Sequence, residues 1–244
     1  MIEIIDLHKS FGEHKVLTGI NLTVPAGSTL VILGGSGSGK TVCMKHMIGL
    51  LKPDSGKVMV DGEDLVPFGP QELERVRRKF GMVFQFAALF DSMTVYENVS
   101  FPLREHLKMP EEQMREIVRS KLDIVGLKNV EEKYPADLSG GMRKRVGLAR
   151  AIVLDPKIVL YDEPTTGLDP ITTDYVDEMI LEAKQKLGVT SVVISHDIAS
   201  AFKVADNIAF LSQGVIVDQG HPSKLRHSQH PAVKVFLQTW FGKN

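Results

Sequence analysis

Short apolar runs recur along the chain at 29–33, 81–84, 158–161, 191–194 and 208–211, each bounded by turn or charged residues. Such runs predict strands buried on both faces. Helical spacing separates most of them. In 174–187, Val176, Ile180, Ala183 and Leu187 share one face and Gly188 supplies a stop. Strands alternating with helices predict an α/β fold with a mostly parallel sheet.

Two stretches break the alternation. Before residue 30, and again over 56–64, short alternating segments with Pro25-Ala26-Gly27 and Asp61-Gly62 turns predict an antiparallel layer. From about 87 to 150 no strand is expected. There Pro110 and Glu111-Glu112 open a helix whose Met114, Ile117, Val118, Leu122 and Val125 form one stripe, ended by Gly126. This region is expected to be a helical lobe inserted between sheet strands. No internal repeat or separating linker is visible, so 1–244 is expected to form one domain. Its expected parts are a core from 1–86 and 151–230, the lobe at 87–150, and an amphipathic helical tail at 231–244. Phe236, Leu237, Trp240 and Phe241 would dock that tail on its own core or on a second copy.

Composition narrows the partners. The chain has 244 residues, with 29 Lys plus Arg against 30 Asp plus Glu and a net charge of -1. That balance supplies no general attraction to nucleic acid or anionic lipid. The single cysteine, Cys43, has no partner for a disulfide and is expected to be a small buried residue. Residues 1–6 alternate in polarity, unlike a secretory signal. Nothing apolar approaches the roughly 20 residues that cross a bilayer. A cytoplasmic location is expected, with any membrane role requiring a separate partner.

Gly34-Gly35-Ser36-Gly37-Ser38-Gly39-Lys40-Thr41 fits the phosphate-loop pattern G-x-x-x-x-G-K-[ST] between an expected strand and an expected helix. Glycines let successive N–H groups and the helix N-terminus approach a phosphate. Lys40 would neutralise the β- and γ-phosphates of ATP, and the Thr41 hydroxyl would ligate Mg²⁺. Asp162 and Glu163 end the run 158–161, where Asp162 would be a second Mg²⁺ ligand and Glu163 would orient or deprotonate water. Gln85 and His196 follow two other strands, so polar groups gather at the carboxyl ends of four strands. Gln85 would sense both Mg²⁺ and water, and His196 would bond the γ-phosphate. Singly, each also reads as a turn or packing residue. Ser139 precedes Gly140-Gly141-Met142 and a helical run at 143–154, giving a second anion-binding helix end or an ordinary capped helix.

Taken together, these residues resemble the nucleotide-binding subunit of ATP-binding cassette (ABC) transporters over nearly the whole chain. Gly34 to Thr41 resemble Walker A, Gln85 the Q-loop, Leu138 to Met142 the signature, Ile158 to Glu163 Walker B, Gly167-Leu168-Asp169 the D-loop and His196 the switch histidine. Phe11 matches the aromatic that stacks on adenine. The resemblance implies the ABC ATPase fold, a RecA-like P-loop NTPase core with an antiparallel layer and helical subdomain. It also implies two chains facing head to tail, with Ser139, Gly140 and Gly141 of one completing the γ-phosphate site of the other, and makes Asp169 a nucleotide-binding residue. Met142 replaces the common signature glutamine, and Phe11 the commoner tyrosine.

Residues 86–106, with Leu-Ser-Gly-Gly-Met at 138–142, are similar to the MlaF-type ATPases of bacterial phospholipid trafficking. That similarity implies an MlaE-like permease, MlaD-like lipid-binding subunits, in some systems an MlaB-like regulator, and a place on the cytoplasmic face of the bacterial inner membrane. No nucleic-acid partner is expected. The alternatives are an importer ATPase for another substrate, a soluble ABC ATPase for translation, DNA repair or cofactor assembly, and a regulatory module without turnover. The stretch between Lys40 and Ser139 is too short for the coiled coil of DNA-repair members, and translation-type members usually carry two cassettes. Glu163 and His196 favour turnover.

Overall fold

In this computed structural model, which describes residues 1–241 and side chains through residue 238, the chain begins with β1 (Ile2–Phe11), β2 (His14–Val24), β3 (Thr29–Leu33), α1 (Lys40–Met47), β4 (Ser55–Val60), β5 (Glu63–Asp64) and α2 (Pro70–Arg77). Next come β6 (Phe80–Val83), α3 (Val95–His106), α4 (Glu111–Ile124), α5 (Gly140–Ala151), β7 (Ile158–Asp162) and α6 (Pro170–Leu187). The chain closes with β8 (Thr190–Ser195), α7 (Ile198–Val204), β9 (Asn207–Ser212), β10 (Val215–Gly220), α8 (Pro222–Leu225) and α9 (Pro231–Phe241). These elements form two compact units: Met1–Arg77 together with the chain from Thr190 onward, and Arg78–Val189.

The first unit contains the expected antiparallel layer, in the order β2-β1-β4-β5. Its inner face follows the alternation, with Ile2, Ile4, Leu17, Ile20, Leu22 and Val24 buried. In its second sheet β3 lies between β8 and β9, parallel to both, and β10 returns antiparallel to β9. All residues of β3 and β8 are buried, as unalternating apolar runs require. Cys43, Met44 and Met47 of α1 are fully buried. Val233 and Leu237 of α9 are buried too, and the Phe236 ring meets Phe210 edge-on at 5.0 Å. The tail thus seats on its own unit. The side chains of Trp240 and Phe241, and residues 242–244, lie outside the described residues.

The second unit pairs β6 with β7 in parallel and carries α3 to α6. A capping box opens α3, in which Thr94 Oγ1 accepts from the Glu97 N–H at 3.2 Å and Glu97 Oε2 from the Thr94 N–H at 2.7 Å. Met114, Val118 and Leu122 bury the expected stripe of α4. α5 and α6 start earlier than their apolar spacing suggests. Ser139 and Asp169 cap them, and Pro170 takes the first position of α6 with its fixed φ. Gly188 ends α6 in the left-handed region, as expected. The apolar pattern gives no expectation for α2 or β10, whose residues are largely half-buried or exposed. No helix among the described residues is long and apolar enough to cross a membrane.

Asn98 organises the loop before α3. Fully buried, its Oδ1 accepts from the Phe90 N–H at 2.8 Å, and its Nδ2 lies 3.0–3.1 Å from the carbonyls of Phe90, Met93 and Thr94. Asn98→Ala leaves these buried backbone groups without their partner, at a cost of roughly 2–4 kcal/mol. A lowered urea midpoint followed by circular dichroism is the expected result; an unchanged midpoint would contradict it.

Candidate nucleotide-binding site

In the first unit Leu33 pairs with Ser195, so Gly34 and His196 leave neighbouring strand ends. Gly34 must be glycine because a Cβ there would stand 2.2 Å from the Leu211 carbonyl oxygen. Gly39 must be glycine for two reasons, a φ of +105° and a Cβ position 2.8 Å from Leu17 Cδ2. Between them the loop turns, with the Ser38 N–H donating to the Gly35 carbonyl at 3.3 Å, and Gly35, Ser36 and Gly37 exposed. Lys40 is buried and folds back to donate to the carbonyls of Gly34 at 2.9 Å and Gly35 at 3.0 Å. The Ser38 hydroxyl is buried without a hydrogen-bond partner. An exposed glycine loop, an orphaned hydroxyl and a cation at the start of an eight-residue helix make a cradle suited to a polyphosphate.

Phe11 ends β1 with half its surface exposed, and Lys9 Nζ lies 5.6 Å from its ring centroid. The ring therefore has surface for stacking and a cation beside it. His196 occupies the turn between β8 and α7, exposed at its side chain. The Asp197 N–H donates to Ser195 Oγ at 2.9 Å, and Asp197 Oδ1 accepts from the Ser200 N–H at 3.2 Å, which fixes the turn on either side of it.

The second unit gathers a different set. Val83 pairs with Tyr161, so Gln85 and the Asp162-Glu163 pair leave neighbouring ends of β6 and β7. Glu163 adopts the left-handed region at φ +50°, an uncommon backbone for a residue other than glycine. Its Oε2 accepts from the Thr166 hydroxyl at 2.8 Å, and its carbonyl from the Thr166 N–H at 3.3 Å. Ser139 Oγ accepts from the Met142 N–H at 3.3 Å as the cap of α5, while Ser139 and Gly140 are exposed and Gly141 is half-buried. Asp169 caps α6, accepting from the N–H groups of Ile171 and Thr172 at 3.0 Å and from the Thr172 hydroxyl at 2.5 Å. These bonds, the hydroxyl foremost, hold its carboxyl below the usual carboxylate range.

Among the described residues no three His, Cys, Asp or Glu side chains gather into a metal cage. An ion of the Mg²⁺ kind keeps several waters and uses one or two protein oxygens with substrate phosphates. Thr41, at the head of α1, and Asp162, at the end of β7, are hard oxygen donors of that type.

Three supporting residues escape sequence reasoning: Thr166, which holds Glu163, and Lys144 and Arg150 on α5. The last two carry charge on a helix whose Val146, Leu148 and Ala149 face inward. Three consecutive basic residues at 143–145 on a helix are the available signal, since one of them has to turn toward the core.

The family model described as ABC transporter matches residues 17–166. A probable ribonucleotide transport ATP-binding protein of Mycobacterium tuberculosis is 45% identical over 236 residues, covering 97% of this chain. The chain spans 66% of that relative's length. The intermembrane phospholipid transport ATP-binding protein MlaF of Escherichia coli is 38% identical, with 97% of this chain and 88% of the relative covered. Among solved structures, CbiO1 of Clostridium perfringens, part of an ABC transporter complex, superposes with a TM-score of 0.87 at 29% identity, covering 99% and 96% of the two chains. A dimeric ATP-binding cassette in a post-hydrolysis state with ADP and Pi gives 0.81 at 31% identity, covering 91% and 99%.

Lys40→Ala removes the cation from the loop, and ATP affinity is expected to fall roughly 100-fold in a fluorescent-nucleotide titration. Wild-type affinity would contradict the cradle. Cys43 tests the core beneath the loop, because burial pushes its thiol up to about 12. A thiol reagent at pH 8 should leave the folded chain unlabelled and label the urea-unfolded chain fully.

Proposed function

From a chain that belongs to the ABC transporter family, we propose an Mg²⁺-dependent ATPase that energises a bacterial transporter, moving phospholipid between membranes through a separate permease. Glu163 carries the reading of turnover. Its backbone is held in an uncommon conformation and its carboxylate is oriented by Thr166, as a group that must aim at one water requires.

In this reading Gly34 to Thr41 bind the phosphates, Phe11 stacks on adenine, and Lys40 moves from its loop carbonyls to the β- and γ-phosphate oxygens. Glu163 accepts the proton of the attacking water, His196 bonds the γ-phosphate, and Gln85 reports on water and metal. Thr41, Gln85 and Asp162 would hold Mg²⁺, which supplies charge neutralisation on the phosphates. Ser139, Gly140 and Gly141 of a second copy complete the site and Asp169 contributes to nucleotide binding, so ATP closes a head-to-tail pair and hydrolysis releases it.

The substrate rests on MlaF relatives that match along most of their own length and on the similarity over 86–106. The membrane partners would be an MlaE-like permease with MlaD-like subunits, with or without an MlaB-like regulator, and the chain would sit on the cytoplasmic face of the inner membrane. The name of the mycobacterial relatives supports a second reading, ribonucleotide transport.

Glu163→Gln is expected to keep ATP binding and to form an ATP-dependent dimer on size exclusion. Its turnover should fall by roughly 100-fold or more; unchanged turnover would overturn the assignment of Glu163. Gentle purification from the native membrane should bring down a permease with a lipid-binding subunit and bound phospholipid. Recovery with ribosomes, or of the chain alone, would sink the phospholipid reading.

A further inference from the structure

Lys144 is a buried cation on α5 with no evident packing purpose. Only 7% of it is exposed, and among the described residues the carbonyl of Pro164 is its hydrogen-bond partner. Burial lowers its pKa. A methionine would fill the same space without desolvating an ammonium. What lysine adds is a donor to the first peptide carbonyl after Glu163, the residue with φ +50°.

Arg150 repeats the device six residues later. Its Nη2 and Nη1 donate to the carbonyls of Ala87 and Ala88, both at 2.7 Å, and both alanines have left-handed φ, +60° and +48°. They follow Gln85 as Pro164 follows Glu163. Gly147, between the two cations, lets the helix approach closely, since a Cβ there would stand 3.2 Å from Ala87 Cβ. One helix thus grips the backbone just past both polar groups assigned to hydrolysis.

We infer that α5 is a positioning element for hydrolysis, in which Lys144 fixes the Pro164–Thr165 peptide just past Glu163 and Arg150 fixes the loop that follows Gln85. The inference rests on the ATPase reading above. Neither residue touches substrate. Each acts through the backbone it holds, and both stand on the helix whose first turn is Ser139 to Gly141.

The test is steady-state ATP hydrolysis by the full chain, with wild type, Glu163→Gln, Lys144→Met and Lys144→Arg measured together. Lys144→Met should melt no lower than wild type, because it removes a buried charge. Its kcat should fall roughly 10-fold or more with KM for ATP within about 2-fold. Lys144→Arg should recover most of the rate by restoring a donor. A wild type without turnover would sink the ATPase reading and this inference together. Active wild type, inactive Glu163→Gln and fully active Lys144→Met would overturn the positioning role alone. Loss of ATP binding alongside hydrolysis in Lys144→Met would reduce Lys144 to a support of the fold, and that also overturns it.

Discussion

A buried ammonium bonded to the carbonyls of its own loop is the constraint from which the nucleotide cradle follows. Lys40 can reach the carbonyls of Gly34 and Gly35 only if the chain reverses tightly between β3 and α1. That reversal brings Gly34 against the Leu211 carbonyl and Gly39 against Leu17, which leaves glycine as the residue that fits at either place. The parallel neighbours β8 and β9 must in turn hold β3 still, because a loop this close to other backbone tolerates no drift. Neutral carbonyls are weak partners for a buried cation, and a polyphosphate is a strong one.

The phosphate loop was legible because its requirements are local: glycines at fixed spacing, then lysine and threonine, between an apolar run and a helix. β3, β7, β8 and β9 were legible for a similar reason, their burial on both faces being written as unbroken apolar runs. Patterning treats every lysine and arginine as solvent-facing, and so it passes over Lys144 and Arg150. Nor does it foresee left-handed alanines at 87 and 88, since alanine carries no preference for that conformation; the guanidinium that holds their carbonyls, Arg150, is far away in sequence. Asp169 illustrates an overlap of roles. Its motif position points to nucleotide, while its bonds make it the cap of α6.

Relatives whose names point to ribonucleotide transport and to phospholipid transport match nearly the whole of this chain, at 45% and 38% identity. That is what physical reasoning leads one to expect. In the reading proposed above, phosphate chemistry fixes the loop, the carboxylate and the helix caps whatever the cargo, and recognition of cargo would fall to the membrane partner. Phe86, 82% exposed beside Gln85, is an apolar side chain that such a partner would cover.

α5 carries an N-terminus assigned above to a neighbour's nucleotide and side chains that hold the backbone just past Gln85 and Glu163 of its own chain. A helix of twelve residues with intact backbone bonds is stiff on that scale. In the reading proposed above, α5 would therefore act as a lever, so that a nucleotide held at its first turn by the neighbouring chain would bear on the backbone that Lys144 and Arg150 hold.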